Sequence, residues 1–175
     1  MANKPNQNLR AIELLVLDVD GVLTDGQLVL HGDGRESKCF HTHDGHGIRL
    51  WQRAGGRTAL LSGRYSEPTQ RRAEQLEIAH VIQNCHFKLP AMEKLLEELH
   101  LKPENVAYVG DDLPDLPAIR FAGLGVATAN AVDEVKREAD YVTTRPGGQG
   151  AVRETIEYIL KNSGRWQVLM ERDLA

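Results

Sequence analysis

The sequence predicts a doubly wound α/β fold, a parallel sheet with helices on both faces and a β-hairpin insert after the first strand. Three observations carry this expectation. Short apolar runs of strand length recur along the chain, segments with helical spacing separate them, and the runs stop abruptly at Asp, Ser or Gly. Continuous apolar runs mark strands buried on both faces. Strands alternating with helices imply parallel pairing through right-handed crossovers.

Leu14-Leu15-Val16-Leu17 is the first run, stopped by Asp18 and Gly21. Gly26 to Phe40 breaks the rhythm, because Gln27–His31 and Glu36–Phe40 read as two strands around the turn Gly32-Asp33-Gly34. Ile48, Leu50 and Trp51 belong to a helix closed by Gly55-Gly56, with Trp51 in the core. Thr58-Ala59-Leu60-Leu61 is the next run and His80-Val81-Ile82 a weaker copy; Arg71-Arg72 between them reads as the exposed side of a helix. From Pro90 to Leu101, Met92, Leu95, Leu96 and Leu99 recur at helical spacing, with Glu93, Lys94, Glu97 and Glu98 on a solvated face. Val106-Ala107-Tyr108-Val109 and Leu124-Gly125-Val126-Ala127 complete the strands. Val152, Ile156, Ile159 and Leu160 mark a final helix after Pro146-Gly147-Gly148. The expectation is one domain over residues 1–175, with its core at about 12–162, the hairpin at about 26–40 and a tail from Arg165 to Ala175 of open fate.

The chain has 175 residues, 21 Lys+Arg against 25 Asp+Glu, a net charge of −4 and a pI near 6.0. That balance argues against nucleic acid or an anionic membrane surface as a partner. No apolar run approaches a membrane span, and the polar start MANKPNQNLR lacks the apolar stretch of a secretory signal. Cys39 and Cys85 lie far apart with no C-x-x-C spacing, which speaks against a disulfide scaffold and leaves the cytoplasm as the expected compartment.

Ligands of open parallel sheets sit beyond the carboxyl ends of the strands. There the sequence places Asp18-Val19-Asp20-Gly21, Ser62-Gly63-Arg64 and Gly110-Asp111-Asp112, with Lys88 opening the helix after the weak strand. Clustered carboxylates repel one another without a cation, and an all-oxygen set suits Mg²⁺. Two acids spaced i, i+2 at a strand end can share one substrate, one attacking phosphorus and the other protonating the leaving oxygen. Ser62 and Lys88 would then hold the phosphoryl oxygens.

Asp18-Val19-Asp20-Gly21-Val22-Leu23-Thr24-Asp25-Gly26 resembles the first motif of the haloacid dehalogenase-like phosphatases. Ser62, Lys88 and Gly110-Asp111-Asp112 resemble the second, third and fourth, in order. The resemblance implies a Rossmann-like core of that family, with Asp18 as nucleophile forming an aspartyl-phosphate and Asp20 as general acid and then base. Mg²⁺ would be held by Asp18, the Asp20 backbone carbonyl and Asp111; Asp112 and Asp115 would lie just outside, orienting water or Lys88. The small hairpin leaves no separate cap domain. With Phe40-His41-Thr42-His43-Asp44-Gly45, the segment Pro103 to Leu113 and Gly147-Gly148-Gln149-Gly150, the layout resembles the capless 3-deoxy-D-manno-octulosonate 8-phosphate phosphatase family.

That resemblance implies a homotetramer acting on a phosphorylated 2-keto-3-deoxy sugar acid. It implies substrate contacts at Asp20, His41, Thr42, His43, Asp44, Gly45, Arg49, Arg64, Arg72 and Lys88, and phosphate contacts at Ser62, Gly63 and Lys88. Guanidinium forks suit the carboxylate of such a substrate. Two positions depart from the family pattern: His43 stands where an arginine is usual, as does Gln149. Arg64 favours the octulosonate ester over a nononate 9-phosphate, the rival substrate along with other sugar phosphates. His41, His43 and His46 form H-x-H-x-x-H, a zinc-like spacing without a soft fourth ligand in the pattern, although Cys39 is near. A phosphomutase would need a larger lid. A signalling receiver domain would place its acids differently, and a silent scaffold would have no need of the complete set.

Overall fold

Four consecutive apolar residues, Leu14–Leu17, form β1, and all four are buried because helices cover both faces of this strand. The computed structural model describes residues 8–173; residues 1–7 at the polar start and 174–175 at the end of the tail lie outside the described residues. β1 is the centre of a six-stranded sheet with β4 (Arg57–Leu61), β5 (His80–Ile82), β6 (Val106–Gly110), β7 (Leu124–Ala127) and β8 (Tyr141–Val142), in the order β5-β4-β1-β6-β7-β8. Every pairing is parallel, and the register sets Leu17 beside Leu60 on one side and Val109 on the other. The chain fills one half of the sheet with β4 and β5, then returns past β1 to build the other. Such a reversal opens a crevice at the carboxyl end of the central strand.

Side chains alternate across the sheet with period two. Leu15, Leu17 and Leu60 face α1 (Thr42–Arg53), α2 (Glu67–Gln75) and α6 (Ala151–Asn162), which bring Ile48, Trp51, Ala73, Ile156 and Ile159. Leu14, Val16, Ala59 and Leu61 face α3 (Lys88–Leu99), α4 (Leu116–Phe121) and α5 (Asp133–Glu138), which bring Met92, Leu95, Ile119 and Val135. Trp51 is fully buried, and Glu93, Lys94, Glu97 and Glu98 are exposed, as the periodicity requires.

Several expected elements differ. The hairpin pairs only β2 (Val29–Leu30) with β3 (Glu36–Ser37), because Phe40 leaves the ribbon to pack on the core beneath Arg72. His41 and His43 do not share a strand end: His41 is the N-cap of α1, its Nδ1 accepting from the His43 N–H at 3.2 Å. The helix over the Met92 stripe opens at Lys88, as expected, and ends at Leu99. The short elements β8, α4 and α5 and the tail helix α7 (Arg165–Asp173) are additions, the last held by buried Leu169. Among the described residues no helix is long and apolar enough to cross a membrane.

Candidate active site

The crevice at the end of β1 is built around a buried chain of charges. Asp18 follows β1 directly, its N–H bonded to the Val109 carbonyl at 3.0 Å, so its carboxylate leaves the sheet at a fixed height. Lys88, the first residue of α3, reaches over from the other side of β4. Its Nζ lies 2.8 Å from Asp18 Oδ1 and 2.6 Å from Asp115 Oδ1. Tyr108, buried on β6, donates its hydroxyl to the same Asp115 oxygen at 2.6 Å. Asp115 Oδ2 accepts from the backbone N–H of Asp111 at 3.0 Å and of Asp112 at 3.2 Å. Both oxygens of Asp115 are thereby occupied, one of them by Lys88. Asp112 is exposed, and its Oδ1 accepts from the Leu113 N–H, so it makes no contact with Lys88.

Asp111 is different. Its Oδ1 is buried without a hydrogen-bond partner. One carboxylate oxygen each from Asp18, Asp111 and Asp115 lie within 4.8 Å of one another. Burial, followed by the charges of Asp18 and Asp115, pushes the Asp111 carboxyl up to about 8. Burial, followed by Asp115, raises Asp18 to about 6 against the opposing pull of Lys88. For Lys88 burial works against the charge, yet the Asp18 and Asp115 carboxylates outweigh it and raise the ammonium above its ordinary value. An orphaned carboxylate oxygen in an all-oxygen cluster with excess negative charge fits Mg²⁺.

The loop after Asp18 is shaped for this neighbourhood. Gly21 has φ +88°, and a Cβ there would lie 2.0 Å from Asp111 Oδ2. The Gly21 carbonyl is pinned by Asn130 Nδ2 at 3.1 Å and the Thr128 hydroxyl at 3.4 Å. These two anchors were not anticipated; nothing in a T-A-N turn after a strand sets it apart from an ordinary loop. Ser62 emerges at the end of β4, buried, its hydroxyl donating to the Arg64 carbonyl at 3.1 Å and accepting from the Arg64 N–H at 3.3 Å. Gly63 makes the turn between them.

Asp20 stands apart from the Asp18–Asp111–Asp115 cluster. Its carboxylate pairs with Lys38 through Oδ1 and with Arg64 Nη1 at 3.8 Å through Oδ2. Arg64 also binds Glu36 at 3.1 Å, beside a cleft of about 640 Å³ lined by Leu30, Arg35, Tyr65 and Arg71 among others. Lys38 and Glu36 were missed by the sequence reading. Their i, i+2 spacing on a strand was the available signal, since it points both side chains to one face.

The segment that the resemblance assigned to substrate divides in two. Thr42 and His43 are exposed and His41 half-exposed, with Arg72 Nη2 at 3.5 Å from the His41 carbonyl. Asp44 and Gly45 are buried. Asp44 accepts from the Gly150 N–H at 3.1 Å and the Arg153 N–H at 2.8 Å, tying down the start of α6. Gly45 is covered by Arg72, whose Nη2 lies 2.2 Å from where a Cβ would sit. Arg49 lies about one turn beyond Gly45 on α1, at the amino end of the sheet, where Nη1 pairs with Glu77 at 2.7 Å. The helical course of α1 therefore carries Arg49 away from the crevice of its own chain, while Asp44 and Gly45 are covered within the protein. Among the described residues the histidines form no metal-binding group.

Residues 73–154 match the family model described as haloacid dehalogenase-like hydrolase. The chain is 45% identical over 154 residues to the 3-deoxy-D-manno-octulosonate 8-phosphate phosphatase of Escherichia coli K12, covering 88% of this chain and 82% of that protein. A probable YrbI family phosphatase from Pseudomonas syringae pv. phaseolica superimposes with a TM-score of 0.93 at 48% identity, over 97% of this chain and 96% of that one. The Moraxella catarrhalis 3-deoxy-D-manno-octulosonate 8-phosphate phosphatase, solved with a magnesium ion, a phosphate ion and KDO, gives a TM-score of 0.93 at 39% identity, over 98% and 99%.

Proposed function

The chain belongs to the 3-deoxy-D-manno-octulosonate 8-phosphate phosphatase family of the haloacid dehalogenase-like hydrolases, and on that premise we propose that it hydrolyses the 8-phosphate ester of that sugar acid with Mg²⁺ as cofactor. The observation that carries this reading is the setting of Asp18, a buried carboxylate held by Lys88 on one side and facing the orphaned oxygen of Asp111 on the other. Asp18, Asp111 and the Asp20 backbone carbonyl would hold the ion. When bound, Mg²⁺ offsets the negative charge of the phosphoryl group against the attacking carboxylate.

Asp18 attacks phosphorus as the bond to the sugar oxygen breaks, and an aspartyl-phosphate results. Asp20 gives its proton to the leaving oxygen, then takes one from the water that releases phosphate. Lys88, Ser62 and the Gly63 backbone bind the non-bridging oxygens, and Asp115 with Tyr108 keeps the Lys88 ammonium aimed. Arg64 is the residue we assign to the acid end of the substrate, with His41, Thr42, His43 and Arg72 as a second polar surface. The exposed apolar strand Leu28-Val29-Leu30 supports a homotetramer joined through the hairpins. The free thiols of Cys39 and Cys85 fit a cytoplasmic enzyme.

The test is Mg²⁺-dependent phosphate release across a panel of sugar phosphates that includes the octulosonate ester and the nononate 9-phosphates. Asp18→Asn is expected to lose at least about 10³-fold in kcat while remaining folded. Preference for a nononate ester would keep the chemistry and assign His41, His43 and Gln149 to a changed specificity. Release that survives in the Asn variant would remove Asp18 as nucleophile.

A further inference from the structure

We infer that Lys38, delivered by the hairpin, is the positioning residue of the general acid, holding the Asp20 carboxyl where the leaving oxygen must be protonated; this rests on the proposed phosphatase reading. The lysine side chain is 1% exposed, although its chain neighbours Ser37 and Cys39 are exposed. Lysine is almost never buried so completely without a partner, and ordering its four-carbon stem costs side-chain entropy. The partner is Asp20, whose other oxygen meets the longer 3.8 Å contact from Arg64. Arg64 is in turn held by Glu36 at 3.1 Å. Two cations and two carboxylates thus form a linked set around Asp20, and three of the four come from outside the D-x-D loop.

The loop itself cannot fix Asp20. The residue begins the turn after β1, and its side chain makes no bond to Ser62, Lys88 or Asp115. Neutralising the site is not the task of Lys38 either, since the surplus negative charge sits at Asp18 and Asp111. In the first half-reaction Asp18 bonds to phosphorus, the bond from phosphorus to the sugar oxygen breaks, and the Asp20 proton passes to that oxygen. Asp20 is left as a carboxylate beside the Lys38 ammonium. In the second half-reaction Asp20 takes a proton from water as its oxygen bonds to phosphorus, and the Asp18 carboxylate leaves. Lys38 forms no bond in either half; it keeps one carboxyl in one place through both.

Leaving-group dependence separates this role from the alternatives. An alkyl phosphate such as the octulosonate ester needs its leaving oxygen protonated, whereas an aryl phosphate such as p-nitrophenyl phosphate leaves without help. Wild type, K38M, K38R and D20N would be compared by kcat/KM on both esters, with Mg²⁺ and with thermal unfolding of each. K38M keeps the length of the stem. Its alkyl-to-aryl ratio of kcat/KM is expected to fall about 30-fold, in the direction of D20N and short of the loss of the general acid itself, about 10²–10⁴-fold. K38R, which keeps the charge, is expected to recover part of that ratio. Equal losses on both esters would overturn the assignment, because a structural or phosphate-binding lysine treats the two alike. So would an unchanged ratio in both Lys38 variants. A wild type inactive on every ester would instead overturn the phosphatase reading beneath it.

Discussion

At the scale of single residues, Asp18 and Asp111 carry a charge conflict that the fold leaves unresolved. Folding moves the Asp111 carboxyl from an ordinary 3.8 to about 8 and Asp18 to about 6, chiefly by burial. The sign follows from linkage. Between those values the native state keeps protons that the unfolded chain has released, so stability falls as pH rises through the window. Mg²⁺ takes the place of those protons, and its binding strengthens with pH until both groups are ionised. The rise in Tm on saturation with Mg²⁺ is therefore expected to be larger at about pH 9 than at about pH 5, as scanning calorimetry of the metal-free and loaded protein would measure. Equal shifts at the two pH values would mean that these carboxylates are not the ligands. The acids themselves were legible in the sequence because each follows an apolar run. The conflict between them was not, since burial is a property of the packed sheet.

At the scale of elements, what the sequence reading missed follows from helix geometry and short segments. Residues three or four apart share a helix face. Once α1 begins at Thr42, Asp44, Ile48 and Trp51 turn inward together, while Thr42 and His43 stay on the surface. Asp44 was read as a ligand contact because it belongs to a family motif; in the fold it fastens α1 to the first turn of α6 through two backbone bonds. Losing two charge-assisted bonds at a buried site costs about 3–6 kcal/mol. Asp44→Ala should accordingly lower Tm by roughly 6–24 °C in a chain of this size, with little change in KM at a temperature where it remains folded. A large rise in KM with an unchanged Tm would return Asp44 to the substrate. β8 escaped notice because a two-residue edge strand has no period, and α4 because Pro114 and Pro117 disguise a six-residue helix. The long runs β1, β4 and β6 were readable because burial on both faces leaves no polar alternation to confuse with a surface strand.

At the scale of the whole molecule, the hairpin has two faces with different obligations. Glu36 and Lys38 turn toward Arg64 and Asp20, so one face completes the site. The opposite strand leaves Leu28 51%, Val29 45% and Leu30 70% exposed. A ribbon with only two residue pairs is marginal by itself, and an exposed apolar edge invites pairing with another copy. If copies join there, assembly also steadies the strand that carries Lys38, and the acid that Lys38 holds becomes dependent on the oligomer. Leu30→Glu should then lower both the mass and the activity. Light scattering is expected to give about four chain masses for the wild type and a smaller species for the variant, with kcat/KM on the alkyl ester falling more than on the aryl ester. A variant that keeps the full assembly would place the interface elsewhere. One that dissociates with its ester ratio intact would show that the hairpin holds Lys38 without help from its neighbours.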